Sequence, residues 1–197
     1  MELKIFFDYC CPFCYLGHAY IKQVIGRHPN ISVRWCPCEA HPRSEPRMIV
    51  SSRGAPSWWA HKQEEAKKAG ITVKAPYSPV PHSDLAIQAM YYVAEHGGDI
   101  WNYHDAVYEA VFTHARNIEE LSVIADCLTK IGVEAQGFIE ALQNGEYCGV
   151  SGHANKYAYE EHRVWAVPSY VCGSRRLDSV ENMGVSKEEL QNFLLSL

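Results

Sequence analysis

The stretch FDYCCPFCYLG (residues 7–17) decides the interpretation of this chain, because it links an apolar run to two cysteines three positions apart. Residues 2–7 are rich in β-forming side chains and predict a buried strand that ends at Asp8. From Cys11 onward the apolar residues recur at helical spacing, and Pro12 occupies the first turn, where a missing N–H costs little. We therefore expect both cysteines at the beginning of the first helix.

Cys11 and Cys14 have the spacing of a reactive thiol pair. Residues three apart in a helix lie on one face, so the two thiols are able to form a disulfide. The unpaired N–H groups and the positive end of the helix dipole stabilise a thiolate at Cys11. Cys14, one turn deeper, is expected to be less exposed and to attack the mixed disulfide that Cys11 forms with a substrate. The pattern predicts a thiol–disulfide exchange centre.

A second feature, Val167-Pro168, lies far along the chain, after a helix and just before a short strand. A bond that precedes proline is the only kind that is readily cis. Such a loop leaves backbone groups of Val167 free to pair with an extended substrate, as a sheet edge does. We expect Pro12, Phe13, Val167 and Pro168 to contact the substrate.

The rest of the chain predicts a helical block inside an α/β frame. A strand over residues 31–36 after the first helix favours a parallel pair with the first strand. The other predicted elements are helices at 57–70, 82–96, 99–113, 117–130, 135–144 and 152–162, strands at 169–172 and 175–178, and a last helix capped by Ser186, with Ser83 and Asn117 as further N-caps.

This order predicts an α/β thioredoxin fold with a large all-helical insertion. We expect two units: residues 1–56 together with 146–197 as a thioredoxin-like domain, and residues 57–145 as an inserted helical domain.

These motifs resemble the DsbA family of thioredoxin-fold oxidoreductases, and the FrnE-like branch in particular. The resemblance rests on residues 7–17, the helical insert and the segment Ala166–Val171, and it spans essentially the whole chain. It implies that Cys11 is the nucleophile, Cys14 the resolving cysteine and Pro168 the cis residue, acting on protein or small-molecule disulfides.

Related glutathione-dependent proteins leave a second function open. The 2-hydroxychromene-2-carboxylate isomerases and kappa-class glutathione transferases resemble this fold but carry serine at the position of Cys11, so the cysteine favours disulfide chemistry. Two features depart from DsbA: Phe13 replaces a histidine that would donate a hydrogen bond, which implies a less oxidising couple, and Cys10 directly precedes the nucleophile.

The remaining cysteines allow other interpretations. Cys36-Pro37-Cys38 could complete a four-thiolate zinc or cluster site with Cys11 and Cys14, form a second redox pair, or simply pack as thiols. We expect no metal. Cys127 lies at helical spacing with apolar residues and is expected in the core, and the sequence assigns no role to Cys148 or Cys172.

Two polar residues near the redox turn have two interpretations each. Asp8 either accepts a proton from Cys14 or is a plain carboxylate before the helix, and His18 either tunes Cys14 or is an ordinary partly exposed histidine.

Composition narrows the function classes. The net charge of −5 over 197 residues offers no basic surface for phosphates, so we expect no nucleic-acid binding. The apolar stretch at the start is too short for a signal peptide and no long apolar run follows, so we expect a cytoplasmic protein without membrane contact. We expect no bound cofactor, glutathione as the candidate co-substrate, protein or peptide thiols and disulfides as partners, and a monomer or homodimer.

Overall fold

A computed structural model describes residues 1–49, 57–74, 78–180 and 183–197, apart from the side chains of residues 57 and 58. The described residues form four strands, β1 (Glu2–Phe7), β2 (Ser32–Pro37), β3 (Ser169–Cys172) and β4 (Arg175–Asp178). They also form eight α-helices: α1 (Pro12–Val24), α2 (Ser57–Lys68), α3 (Asp84–Glu95), α4 (Ile100–Tyr108), α5 (Leu121–Lys130), α6 (Ala135–Gln143), α7 (Val150–Lys156) and α8 (Lys187–Leu195).

The strands form one sheet in the order β2-β1-β3-β4. β1 runs parallel to β2 with Phe6 opposite Cys36, and antiparallel to β3 with Phe6 opposite Ser169. The ends of β1 and β2 and the beginning of β3 therefore meet at one edge of the sheet. The segments that contain Cys11, Cys38 and Pro168 all adjoin this edge.

Alternation along β1 places its side chains in two hydrophobic clusters. Leu3, Ile5 and Phe7 belong to the larger cluster, which also includes side chains of α1 and of the helical block. Phe6 belongs to a smaller cluster on the other face, together with Cys36 and Cys38. The first turn of α1 thus lies between the sheet and the helices.

The predicted α/β thioredoxin fold is confirmed, including the parallel β1–β2 pair and the β3–β4 hairpin. Several helix boundaries were wrong. α5 begins at Leu121, and its N-cap is Glu120, three residues after the predicted cap Asn117. The Ser83 side chain makes no capping bond, because its hydroxyl donates to Asp8 instead.

Two predicted helices are longer or more complex than their patterns indicated. α4 continues as a π-helical turn, Glu109–Thr113, and α7 begins at Val150 and continues as a second one, Tyr157–Glu161. The loop predicted at 37–56 and the connector predicted at 75–81 fall partly outside the described residues.

The division into a 57–145 domain and a 1–56 with 146–197 domain stays a prediction, and its boundary residue 56 lies outside the described residues. The larger hydrophobic cluster runs from β1 into the helical block without interruption. In the described part of the chain, no helix is both long enough and apolar enough to span a membrane.

Candidate active site

The first turn of α1 holds the two cysteines. Cys11 is the N-cap residue, with extended backbone angles, and Pro12 follows in the first turn, as its fixed φ favours. The partly exposed Cys11 sulfur accepts a hydrogen bond from the N–H of Cys14 at 3.4 Å. The first turn contains no acidic residue, so no side chain there offsets the positive end of the helix dipole.

Cys14 lies one turn deeper and is only 2% exposed. Its sulfur accepts the backbone N–H of Asp8 at 3.5 Å. Burial, followed by the hydrogen bond and the charge of Cys11, raises the pKa of Cys14 well above its ordinary value. The geometry therefore separates an accessible sulfur at the end of the helix from a protected thiol behind it.

The segment before β3 lies directly against Cys11. The Cys11 thiol donates to the carbonyl oxygen of Val167 at 3.6 Å, and the Val167–Pro168 peptide bond is cis. Gly17 of α1 allows this close approach, because a Cβ there would lie 2.5 Å from the Tyr170 hydroxyl and 3.3 Å from Cγ of Pro168. The helix and the proline loop are thus packed against each other without space for a methyl group.

Phe13, the second residue between the cysteines, is held by two distant segments. A Cβ at Gly184, in the turn before α8, would lie 3.1 Å from Cδ1 of Phe13. The Lys62 ammonium of α2 lies 5.9 Å from the centre of the Phe13 ring. Phe13 itself carries no charge, but it brings a lysine of the helical block close to the redox turn.

Asp8 is the hub of a buried hydrogen-bond network beneath the turn. Its Oδ1 accepts the N–H of Cys10 at 2.9 Å and the hydroxyl of Ser83, and its Oδ2 accepts the N–H of Ala40 at 2.7 Å. Burial raises the pKa of Asp8 and these bonds partly offset that rise. Asp8 therefore ties the redox turn to the loop after β2 and to the residue before α3.

Cys10 is hydrogen-bonded in the same network, and its surroundings do not favour thiol–disulfide exchange. Its thiol donates to the Pro81 carbonyl at 2.9 Å, and its sulfur lies 3.3 Å from the Ser83 hydroxyl. Burial, followed by the charge of Asp8, raises the pKa of Cys10 well above its ordinary value. A protonated, bonded thiol of this kind is a poor nucleophile.

The Cys36-Pro37-Cys38 segment, called here the CPC segment, is buried at the end of β2. Both thiols belong to the smaller hydrophobic cluster with Phe6. Burial raises the pKa of Cys36 to about 11, and burial with the charge of Asp8 raises that of Cys38. Within the residues that the structure describes, no group of three His, Cys, Asp or Glu side chains is placed so that it could hold a metal ion.

The remaining cysteines are free thiols. Cys127 is buried in the larger cluster, as predicted. Cys172 is also buried, and Cys148 is exposed. The interpretation of His18 as a partly exposed histidine is wrong: the ring is 3% exposed and its Nε2 lies 2.8 Å from Oδ1 of Asp105.

Sequence reasoning missed Lys62, Ser83 and Gly17 as neighbours of the redox turn. Lys62 lies over the Phe13 ring, 49 positions away in the chain, and Ser83 donates to Asp8, 75 positions away. No local sequence pattern marks such contacts. Gly17 did carry a signal, since a glycine inside a helix indicates a close approach of another segment.

Fold and site together define a class, that of thioredoxin-fold proteins with a Cys-x-x-Cys turn at the beginning of α1 and a cis-proline loop beside it. The DSBA-like thioredoxin domain family matches residues 2–194. The chain therefore belongs to the DSBA-like thioredoxin domain family.

Individual relatives agree with this assignment. The chain is 29% identical over 176 residues to the uncharacterized protein YwbO of Bacillus subtilis, covering 88% of this chain and 87% of that protein. The cytosolic disulfide reductase DsbM of Pseudomonas aeruginosa, whose structure has also been solved with GSH, is similar with a TM-score of 0.70 and 16% identity, covering 100% of this chain and 98% of that one. A 2-hydroxychromene-2-carboxylate isomerase is similar with a TM-score of 0.71 and 18% identity, covering 100% of this chain and 93% of that one.

Proposed function

We propose that the protein is a thiol–disulfide oxidoreductase in which Cys11 attacks a disulfide and Cys14 resolves the product. The observation that carries the proposal is the contrast between the two sulfurs. Cys11 is partly exposed at the N-cap and accepts the N–H of Cys14, whereas Cys14 is buried behind it. An accessible sulfur at a helix N-terminus is the arrangement that favours a reactive thiolate.

The reaction follows from these positions in two steps. The Cys11 thiolate attacks one sulfur of the substrate disulfide, so that a Cys11–substrate bond forms and the other substrate sulfur leaves as a thiolate. The Cys14 thiolate then attacks the Cys11 sulfur, which closes the Cys11–Cys14 bond and releases the second substrate thiolate. The substrate is reduced and the protein is oxidised, and the reverse sequence oxidises a dithiol.

The Val167–Pro168 loop is the proposed docking edge for the substrate. The Val167 carbonyl lies 3.6 Å from the Cys11 sulfur, so an extended chain bonded there would present a sulfur to Cys11. Pro12 and Phe13 form the other side, with the Phe13 ring held between the turn at Gly184 and Lys62.

Glutathione is the proposed small-molecule partner, alongside protein or peptide thiols and disulfides in the cytoplasm. The similarity to a cytosolic reductase whose structure has been solved with GSH supports this choice. The similarity to 2-hydroxychromene-2-carboxylate isomerase keeps a glutathione-dependent isomerase or transferase as the second candidate. That alternative needs a bound glutathione but no resolving thiol, so the two functions differ in their dependence on Cys14.

The test compares wild type, Cys11→Ser and Cys14→Ser, with Cys36→Ser as a matched control that removes a thiol from the same edge of the sheet. Each reduced protein is mixed with glutathione disulfide, quenched with acid and weighed by mass spectrometry. We expect Cys14→Ser to stop at the glutathione adduct, Cys11→Ser to form no adduct at the turn, and Cys36→Ser to behave as wild type.

Two results would contradict the proposal. If Cys11→Ser exchanged thiols with glutathione disulfide at the wild-type rate, Cys11 would not be the nucleophile. Full glutathione-dependent turnover of a non-disulfide substrate by Cys14→Ser would favour the isomerase or transferase instead.

A further inference from the structure

A row of positive side chains crosses the sheet on the face that carries Phe6. In the register of the strands, Lys4 of β1 is opposite Arg34 of β2 and Val171 of β3. Val171 is in turn opposite Arg176 of β4. Opposed residues of neighbouring strands share a face, and so do residues two apart in one strand, so these cations lie on the face of the smaller hydrophobic cluster. We call Arg34, Lys4 and Arg176 the cationic row.

Two aromatic rings lie among the cations of this row. The Lys4 ammonium is 5.6 Å from the centre of the Tyr157 ring, and the guanidinium carbon of Arg34 is 5.3 Å from it. The Lys4 ammonium is also 3.3 Å from Nε2 of His162, and Arg176 donates to the His162 carbonyl at 2.8 Å. The three cations therefore surround one pair of rings, whose centres are 4.5 Å apart.

The carboxylates near the cationic row do not neutralise Lys4. Asp178 accepts two hydrogen bonds from Arg176, and Glu2 lies 3.9 Å from Arg34, near the outer limit of an ion pair. In the described part of the chain, no carboxylate lies within ion-pair distance of the Lys4 ammonium. Because neighbouring strands are only about 4.8 Å apart, the opposed charges of Lys4 and Arg34 repel unless an anion offsets them.

A cavity of about 560 Å³ opens beside the row, at the opposite end of β1 from Cys11. Lys4 and His162 form part of its wall, and Glu2 and the chain end at Leu197 also line it. A water molecule takes up about 30 Å³ in the liquid, so the cavity is large enough for an oxyanion of several atoms together with its waters. A space for a ligand thus adjoins a cation that lacks a counter-charge.

The turn between β3 and β4 brings further donors to the same cavity. Ser174 adds a hydroxyl to the wall and Arg175 adds a guanidinium. One N–H of Arg175 donates to the Ser196 carbonyl, which leaves the guanidinium further donors for a ligand. Two cationic side chains and a hydroxyl therefore line one cavity.

We propose that this cavity binds a phosphate group, held by Lys4, Arg175 and the Ser174 hydroxyl. A phosphate carries up to two negative charges and several acceptor oxygens, which match two cationic donors and a hydroxyl better than a singly charged carboxylate does. Arg34 and Arg176 add positive potential beside Lys4. The net charge of −5 favours a small anion over a long polyanion, because a polyanion would extend beyond the row over a chain that is negative overall.

The His162 ring gives this site a spectroscopic reporter. Burial, followed by the charge of Lys4 and then those of Arg176 and Arg34, lowers the pKa of His162, and Glu161 partly offsets the change. A neutral ring allows Nε2 to accept from the Lys4 ammonium. A bound phosphate would offset the neighbouring positive charges, so it should raise the pKa of His162.

The experiment titrates inorganic phosphate into wild type and Lys4→Gln, with potassium chloride keeping the ionic strength constant. Calorimetry measures binding, and the ring-proton signals of His162, assigned with His162→Gln, give its pKa by nuclear magnetic resonance. We expect saturable binding that raises the pKa of His162 in wild type. Lys4→Gln should bind about tenfold more weakly or worse, because it loses a charge-assisted hydrogen bond.

Lys130→Gln is the matched control, because it removes one exposed positive charge from α5, where that lysine is paired with Glu109. It should bind phosphate as wild type does. Urea denaturation adds a second measurement: phosphate should stabilise wild type and Lys130→Gln, but not Lys4→Gln. Without phosphate, Lys4→Gln should be at least as stable as wild type, because the repulsion from Arg34 is removed.

Three results would overturn the site: no saturable binding at millimolar phosphate, binding that Lys4→Gln does not weaken, or equal weakening by Lys130→Gln. Glycerol 3-phosphate distinguishes the source of the group. Tighter binding than inorganic phosphate identifies a phosphate ester as the ligand, and equal or weaker binding identifies the free ion.

The inference goes beyond the proposed function, because it uses neither cysteine of the redox turn. Lys4→Gln should therefore exchange with glutathione disulfide at the wild-type rate. A failure to bind phosphate would leave the thiol chemistry unaffected, and a failure of thiol exchange would leave the phosphate site unaffected.

Discussion

The Cys11-Pro12-Phe13-Cys14 turn and the CPC segment lie at the same edge of the sheet, yet their sulfurs have opposite surroundings. The first turn begins a helix, so its leading sulfur accepts an N–H and is partly exposed. The CPC segment ends a strand, with Pro37 opposite Phe7, and both of its thiols are buried in an apolar cluster. The comparison teaches that the local backbone and burial, rather than cysteine spacing or a neighbouring proline, decide which thiol is accessible.

Alkylation by iodoacetamide gives the largest expected difference between the two segments. Because burial raises the pKa of Cys36 from the ordinary thiol value of about 9 to about 11, Cys36 carries roughly 100-fold less thiolate at pH 7 than an ordinary exposed thiol, and its burial slows the reagent further. Below the pKa of a thiol, its thiolate fraction rises about tenfold per pH unit. The labelling of Cys36 should therefore keep rising at that rate until the pH reaches about 11. Peptide mass spectrometry of the folded protein measures both sites, and equal labelling of Cys11 and Cys36 at pH 7 would break the comparison.

Gly17→Ala tests the packing that places the proline loop beside Cys11. The added Cβ would lie 2.5 Å from the Tyr170 hydroxyl and 3.3 Å from Pro168, so we expect a loss of about 1–3 kcal/mol in the free energy of unfolding. Gly26→Ala is the matched control, since a Cβ there meets no atom within 4 Å among the described residues. Urea denaturation compares the two, and equal stabilities would show that the contact does not constrain α1.

Asp8→Asn probes the carboxyl group whose charge raises the pKa of thiols in both segments, Cys14 and Cys38. Burial raises the pKa of Asp8 itself, so between its ordinary value and the raised one the folded state binds more protons than the unfolded state. Wild type should therefore lose stability relative to Asp8→Asn as pH rises through that interval. Urea unfolding of both proteins from pH 4 to 8 gives the free energy of unfolding of wild type minus that of Asp8→Asn. A value that stays constant or rises with pH would contradict the raised pKa of Asp8.

Cys10→Ser should have the smallest effect, because Cys10 is bonded to Pro81 and kept as a thiol. A serine hydroxyl is also able to donate to that carbonyl. We expect the exchange rate with glutathione disulfide to change by less than about threefold, within the range of a near-neutral substitution at a site without chemistry. A tenfold loss would mean that the site uses three thiols rather than two.

Much of the fold was predictable because its signals are local. The strand patterns at residues 2–7, 169–172 and 175–178 matched the observed strands, and Ser186 with Glu189 forms the capping box that its spacing indicates. α5 was misplaced because its N-cap is Glu120, a residue type without a strong capping preference.

The features of the candidate site that depend on neighbouring residues were predictable from the sequence, but the contacts between distant segments were not. The placement of Cys11 and Pro12 followed from helix physics, but the bond from Ser83 to Asp8 joins distant segments. His18 was misjudged because α1 is packed by the sheet and by the helical block, and most of its middle turns are therefore buried on every side. An amphipathic pattern assumes one solvent-exposed face, which the middle of this helix lacks.

The bond from the Cys14 N–H to the Cys11 sulfur makes the backbone a spectroscopic witness of the chemistry. Whenever Cys11 becomes a thiolate, a glutathione adduct or half of a disulfide, the acceptor of that one amide proton changes. The chemical shift and the solvent-exchange rate of the Cys14 amide should therefore follow the redox state in a nuclear magnetic resonance spectrum, without any label attached to either sulfur.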